Sequence, residues 1–258
     1  MAPPAIEGGA VVRLERGSAV PHREAPLRSA AAKRLLDLAV ATALLVLLAP
    51  VFALVALAIV LDSGAPVFYR CRRAGLRGRA LRMLKFRKMV HDAAGPGLTV
   101  SGDTRFTRVG RVLARTKLDE LPQLWHVITG EMSLVGPRPE DPDLAREFVD
   151  DYGEILSVRP GITGLSQLAF VDEAKLLGPE DPTADYLKRI MPQKVALDRL
   201  YVARRTIGMD LRILAWTAAA IVLRRSVAVQ RETGGLGSRR RPREDHGWDG
   251  LASVQVDP

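Results

Sequence analysis

The chain has 258 residues, 47% of them hydrophobic, and a formal net charge of +9. That is enough for one large domain or two small ones, and the charge points to an anionic partner: lipid, phosphorylated substrate or nucleic acid. Cys71 is the only cysteine, and His22, His91, His126 and His246 show no metal-ligand spacing, which excludes an intramolecular disulfide and a cysteine-based zinc site and fits a reducing, cytosol-facing setting.

Residues 1–30 mix Pro, Gly, Ala and charge without periodicity and read as a mobile tail. The next run, Leu35–Leu61 (LLDLAVATALLVLLAPVFALVALAIVL), has no Lys or Arg and a single charge, Asp37. A helix needs roughly 20 apolar residues to cross a hydrocarbon core of about 30 Å, so this run is long enough. It is apolar all round, unlike a surface helix, and too long and too late in the chain for a cleaved signal peptide. Pro50, near its middle, removes a backbone donor and predicts a kink. Basic residues flank both ends: Arg23, Arg28, Lys33 and Arg34 before, and Arg70 through Lys88 after. Because basic flanks favour the cytoplasmic side, two readings stand: a helix-break-helix that dips in and returns, or a kinked transmembrane helix.

From about 65 to 190 the chain is polar and rich in Gly, Pro and Arg. Val67–Tyr69 and Leu81–Phe86 read as strands, and Leu121–Ile128 and Pro142–Ile155 as helices. Val195–Leu223 reads as helices with an apolar face. Within it Ile213–Leu223, carrying Trp216 and flanked by Arg212, Arg224 and Arg225, is too short to span a bilayer. It reads either as a helix in the headgroup layer or as a core helix. Residues 226–258 read as a second tail. The expected fold is α+β and mostly helical: a membrane-associated catalytic domain (65–225) behind one membrane segment (31–64), with interfacial amphipathic helices.

Asp119 and Glu120 are the residues placed for chemistry. Pro122 and the spacing of Leu121, Leu124, Trp125 and Ile128 mark a helix start, so Asp119 falls at or just before unpaired backbone N–H groups that favour a carboxylate and attract phosphate. The plainer reading is a helix cap. Around the pair lie Lys85, Arg87, Lys88, Arg105, Arg108, Arg111, Arg115, Lys117, Arg138 and Arg159, several of them inside Gly/Pro loops (GPRPE, 136–140; RPGITG, 159–164). An Arg fork held by such a loop suits bidentate phosphate binding, and the same cations also suit anionic headgroups.

At these residues the sequence resembles the bacterial sugar transferases, the monotopic phosphoglycosyl transferases that make polyprenyl-diphosphate-linked sugars. The matching elements are KRLLDLAVATALLVLLAP, the basic GLRGRALRMLKFRKM block, GDTRFTRVGRVL, KLDELPQLWHVITGEMSLVGPRP, RPGITGLSQ and DLRILAWT, covering about residues 31–220. The resemblance implies a re-entrant helix broken at Pro50, a catalytic Asp119–Glu120 dyad, and a magnesium ion taken by Glu120. It further implies phosphate binding by Lys85 and Arg138, with Arg87, Arg115 and Arg159 as further candidates. The implied substrates are a nucleotide sugar, UDP-linked by default, and undecaprenyl phosphate. Nucleic acid is not an expected partner, and no oligomeric state is implied. The implied place is the bacterial inner membrane, with the catalytic domain on its cytoplasmic face. Three positions depart from the family pattern. Ala49 stands where Ser often precedes the proline, Ala114 where a basic residue is usual (Arg115 is adjacent), and Ser166 where Trp is usual. Two other functions fit the charge and the apolar run: a non-enzymatic basic membrane protein, and a glycosyltransferase that releases nucleoside diphosphate.

Overall fold

The computed structural model describes residues 27–238 except 92, 94–97, 101, 179 and 224–226. The expected tail at 1–30 lies largely outside these residues, but 27–30 already belong to the first helix. Helix α1 (Leu27–Leu47) meets α2 (Ala49–Ser63) at Leu48, with Pro50 in the first turn of α2. Proline offers no N–H to the carbonyl one turn back, so the ladder of α1 cannot run on, while its fixed φ suits a helix start. The two axes bend by 58°. No single helix among the described residues is long and apolar enough to cross a membrane, though the bent pair passes that test together.

Both outer ends of the pair are tied to the same body. Near the start of α1, Lys33 Nζ lies 2.7 Å from Asp210 Oδ2, Arg34 donates to the carbonyls of Val127 (2.6 Å) and Ile128 (3.0 Å), and Asp37 accepts from Ser133 Oγ (2.8 Å) and the Leu134 N–H (3.2 Å). At the end of α2, Asp62 accepts from the Val109 N–H (3.0 Å), and Arg87 donates to Ser63 O (3.0 Å), Ser63 Oγ (2.9 Å) and Gly64 O. Between these clamps the apolar side chains Val46, Leu47, Leu54, Leu57 and Leu61 are exposed.

The two predicted strands form a hairpin, β1 (Phe68–Ala74) against β2 (Ala80–Phe86), with Phe68 opposite Phe86 and Cys71 opposite Met83. Leu81 and Met83 are buried at alternate positions of β2, which puts Lys85 next on the inward face. Helix α3 (Arg108–Thr116) is capped by Thr107, whose Oγ1 accepts from the Gly110 N–H at 2.9 Å. The predicted helix at 121–128 is α4 (Gln123–Thr129), preceded by a 3-10 turn over Leu118–Glu120. The single helix predicted at 142–155 is two, α5 (Pro142–Arg146) and α6 (Val149–Ile155), because Phe148 leaves helical geometry at φ −129°, ψ 45°.

Two three-residue strands went unforeseen: β3 (Ser133–Val135) and β4 (Gly161–Thr163), paired in parallel. Their loops touch backbone to backbone; a Cβ on Gly161 would sit 2.1 Å from the Gly136 nitrogen, so only glycine fits there. Helices α7 (Leu165–Ala169) and α8 (Pro182–Asp185) follow, and a π-turn over Tyr186–Ile190 leads into α9 (Met191–Arg204) and α10 (Ile207–Val222). Of the two readings for the last apolar stretch, the core reading holds for the face of α10 that buries Ile213, while Ile221, Val222 and Leu223 are exposed.

The unstructured tail expected from 226 is corrected over 227–238. A hairpin, β5 (Val227–Val229) and β6 (Leu236–Ser238), forms there, and Val227 joins the main core with Leu165, Leu197 and Tyr201. The polar, glycine-rich composition of ETGGLGS concealed a turn between two short apolar pairs. The rest of that tail lies outside the described residues.

Candidate active site

The 3-10 turn carrying Asp119 and Glu120 is wedged between the inward face of β2, the end of α3 and the bent helix pair. Leu118 and Leu121, on either side of the dyad, pack against a cluster of Val55 and Ile59 from α2 with Phe86 and Leu113. Full burial of such side chains is worth about 1.5–3 kcal/mol each, which fixes the dyad against α2.

Asp119 is buried, and Lys88 Nζ lies 3.0 Å from its Oδ2. That pairing is electrostatic only, since Oδ2 has no aligned hydrogen bond. Nor is Asp119 a cap: the cap position of α4 is Pro122, with no side-chain hydrogen bond. The cap reading is therefore set aside, and Lys88 is the ion-pair partner of the carboxylate among the described residues. Lys88 is itself placed by a close crossing of chains, because a Cβ on Gly110 of α3 would lie 1.8 Å from the Lys88 carbonyl oxygen.

Glu120 Oε1 is 3.0 Å from Lys85 Nζ and 3.8 Å from an Arg138 nitrogen. Burial alone would raise the pKa of Glu120, but Lys85 and Arg138 outweigh it and hold the carboxyl well below the usual range. Reciprocally, burial works against the charge on Arg138, yet Glu120, Glu173 and Glu140 keep its pKa above the ordinary value. Lys85 donates to Oε1, and Oε1 is also the oxygen nearest Arg138. Among the described residues no three His, Cys, Asp or Glu side chains converge as a metal cage.

Of the predicted site residues, the structure therefore brings together Asp119, Glu120, Lys85 and Arg138, and it adds Lys88, which the sequence placed among the surrounding cations without a role. The others lie elsewhere. The Arg87 NH2 group is spent on the carbonyls that end α2. Arg159 donates through Nε to the Gly130 carbonyl (2.8 Å) at the end of α4. Arg115 is exposed in the last turn of α3. Pro50 is at the helix break. Ser166 is fully buried, its Oγ donating to Asp198 Oδ1 at 2.7 Å, so a small polar contact fills the position where Trp is usual.

His126 is a further contributor that spacing alone does not reveal. Its Nε2 accepts from the Leu84 N–H at 3.0 Å and its Nδ1 lies 2.6 Å from Glu131 Oε2. This ties the strand carrying Lys85 to the helix that follows the dyad.

The Arg138 loop is held from below by a buried polar network. Lys194 is 2% exposed; its Nζ lies 2.7 Å from Glu173 Oε2, 2.7 Å from Tyr186 Oη and 3.6 Å from Glu140 Oε2. Tyr186 Oη in turn donates to Glu140 at 2.6 Å. Burial raises the pKa of Asp198 to about 7, partly opposed by Ser166 and Lys194.

A pair of adjacent acids framed by two lysines and an arginine and packed against an apolar helix offers cations for phosphate oxygens beside carboxylates that can attack or hold a metal. The profile of the bacterial sugar transferases matches residues 28–224. The chain belongs to the bacterial sugar transferase family. Among its relatives, an exopolysaccharide production protein of Rhizobium leguminosarum bv. phaseoli is 39% identical over 74% of this chain and 96% of its own length. The UDP-glucose:undecaprenyl-phosphate glucose-1-phosphate transferase of Caulobacter vibrioides is 36% identical over 82% and 76%. The protein of that name in Escherichia coli K12 is 36% identical over 72% of this chain but only 39% of its own length, so the match covers part of a longer relative. The mostly helical α+β fold and the family expected from sequence both stand.

Proposed function

We propose that this transferase moves a sugar-1-phosphate from a UDP-sugar to undecaprenyl phosphate and so initiates a surface polysaccharide. The named activity of the relatives supports the substrates. The observation that carries the mechanism is the Asp119 carboxylate, buried, beside Lys88 and without an aligned hydrogen bond. In the first step an Asp119 oxygen attacks the phosphorus that bears the sugar. The bond from that phosphorus to the bridging oxygen breaks, and its electron pair leaves with UMP. An oxygen of the lipid phosphate then attacks the same phosphorus, and the Asp119 carboxylate departs regenerated. Covalent catalysis divides a hard transfer between two anions into two steps, while Lys85, Lys88 and Arg138 offset the charge of the phosphates.

Magnesium that arrives with a diphosphate takes one or two carboxylates together with phosphate oxygens. Glu120, a carboxylate next to Asp119 whose hydrogen bond from Lys85 engages Oε1, fits that role, and the ion would neutralise the diphosphate.

Release of UMP is the test of reaction class. Phosphosugar transfer yields UMP, transfer of sugar alone yields UDP, and a non-enzymatic lipid-binding protein yields neither.

The bent pair is proposed to be re-entrant, dipping into the cytoplasmic leaflet of the bacterial inner membrane and returning. Support comes from its exposed apolar bend and from the anchoring of both ends to one body. Such a segment would hold Asp119 at the headgroup layer, where the acceptor phosphate resides. Ala31→Cys and Arg72→Cys, each in a Cys71→Ser background, replace exposed residues in the first turns of α1 and beyond the end of α2. An impermeant thiol reagent is expected to label both from the same face of sealed vesicles; labelling from opposite faces would mean a full crossing.

A further inference from the structure

Among the described residues, three buried side-chain nitrogen or oxygen atoms have no hydrogen-bond partner: Arg87 Nε, Asp119 Oδ2 and Gln123 Nε2. An orphaned buried polar atom in a native fold asks for an explanation, and a catalytic role is one of the few. In sequence, all three lie on the two segments that carry the dyad and its lysines. Arg87 lies between Lys85 and Lys88, which pair with Glu120 and Asp119, and Gln123 follows Asp119 by four residues. The oxygen on Asp119 is accounted for by nucleophilic attack, and Arg87 spends its other nitrogen on the end of α2. The amide of Gln123 has no such account.

Its position is well defined. Backbone bonds from the Leu121 N–H to Leu118 O (3.2 Å) and from the Leu124 N–H to Leu121 O (3.0 Å) carry one helical path from the dyad turn into α4. Leu121 and Pro122 both lie in the right-handed helical region. Gln123 is thus about one turn beyond Asp119. Both side chains are buried, 2% and 1% exposed, on consecutive turns of that path. They do not bond each other, since each atom is unpartnered. An unpartnered donor one turn after an unpartnered acceptor suits a third group that accepts from the amide and bonds the carboxylate.

We propose that Gln123 is a catalytic residue whose carboxamide donates a hydrogen bond to a non-bridging oxygen of the phosphoryl group transferred through Asp119. This rests on the nucleophilic reading of Asp119. The amide would strengthen its bond as charge builds on that oxygen at the pentavalent phosphorus, so it would act on turnover more than on substrate affinity.

The test is Gln123→Met in the full chain, reconstituted in lipid nanodiscs, with Gln123→Glu as a second variant that keeps the shape but loses the donor. Removing an unsatisfied buried amide should leave the melting temperature equal to or above that of the parent. Meanwhile kcat for UMP release should fall about 100-fold, the scale for losing one such donor, with KM for the UDP-sugar changed much less. A variant that melts no lower and turns over within twofold of the parent would overturn the proposal; if the Met variant folds poorly, the same readings on the Glu variant decide. Label transfer from a UDP-sugar labelled in the sugar-bearing phosphate separates the two ideas. A parent that labels at Asp119 beside a Met variant that labels at the parent's rate removes the role of Gln123 alone. A parent that never labels removes the reading of Asp119 and this proposal with it.

Discussion

Replacing Asp119 with Asn is expected to lower turnover by roughly three orders of magnitude or more, the scale seen when a covalent nucleophile is removed. An amide oxygen is a poor nucleophile and a poor leaving group, so both half-reactions fail together. The fold should survive the change. Lys88 is the only ion-pair partner of Asp119 among the described residues; its side chain is 26% exposed and lies 5.8 Å over the Phe106 ring. Losing such a partly solvated pair costs about 1 kcal/mol or less. Thermal melting in nanodiscs, run beside the UMP-release assay, should therefore show a near-parental transition with turnover lost. A variant that unfolds would implicate stability instead, and one that keeps turnover would remove the nucleophile from the mechanism.

The second large effect is expected far from the dyad. Lys194→Met keeps the volume of a buried side chain but strands Glu140, which is 6% exposed and accepts from Tyr186. Breaking a buried pair by removing one partner costs about 3–5 kcal/mol, or roughly 6–20 °C in melting temperature for a domain of this size. Adding Glu140→Gln should recover most of the loss, because the more deeply buried carboxylate is then neutral, while Glu173, whose side chain is 26% exposed, keeps contact with water. If the double variant melts no higher than the single one, Glu140 is not the group left stranded.

The pH dependence follows the same pair. Burial tends to raise the pKa of Glu140, but Lys194 and Arg138 overcome it and hold the carboxyl below its ordinary range. A depressed folded value means that the stabilisation is present above the unfolded pKa and is lost as pH falls through the folded one. The parent should lose this contribution in acid, and Glu140→Gln should flatten that part of the curve.

The dyad stands out in the sequence as adjacent acids before a proline-started helix, whereas Lys85 and Arg138 are singled out from the other cations by the family resemblance. Arg87 and Arg159 look no different in sequence, yet the fold uses them to bind carbonyls at the ends of α2 and α4. Charge pattern reports that a cation is present, not which acceptor long-range packing will offer it. The same holds for Lys194, which reads as an ordinary helix cation until Tyr186, Glu140 and Glu173 close around it. Strands β3 and β4 escaped notice because three residues are too few to display an alternating pattern, and their pairing depends on glycines 25 positions apart in sequence, Gly136 and Gly161, meeting backbone to backbone. The break at Pro50 was legible from a single residue. That both ends of the bent pair dock on one body required the contacts of Arg34 and Arg87.

The central claim is a phosphoryl group carried on one carboxylate, and trapping tests it most directly. The protein is incubated, without lipid acceptor, with a UDP-sugar that it turns over, labelled in the phosphate bearing the sugar, and the digest is searched for label on the peptide containing Asp119. Label on that peptide, chased off by undecaprenyl phosphate and missing from Asp119→Asn, is the predicted result. Transfer to lipid at a normal rate with no label on the protein at any time would mean direct displacement and would contradict the account.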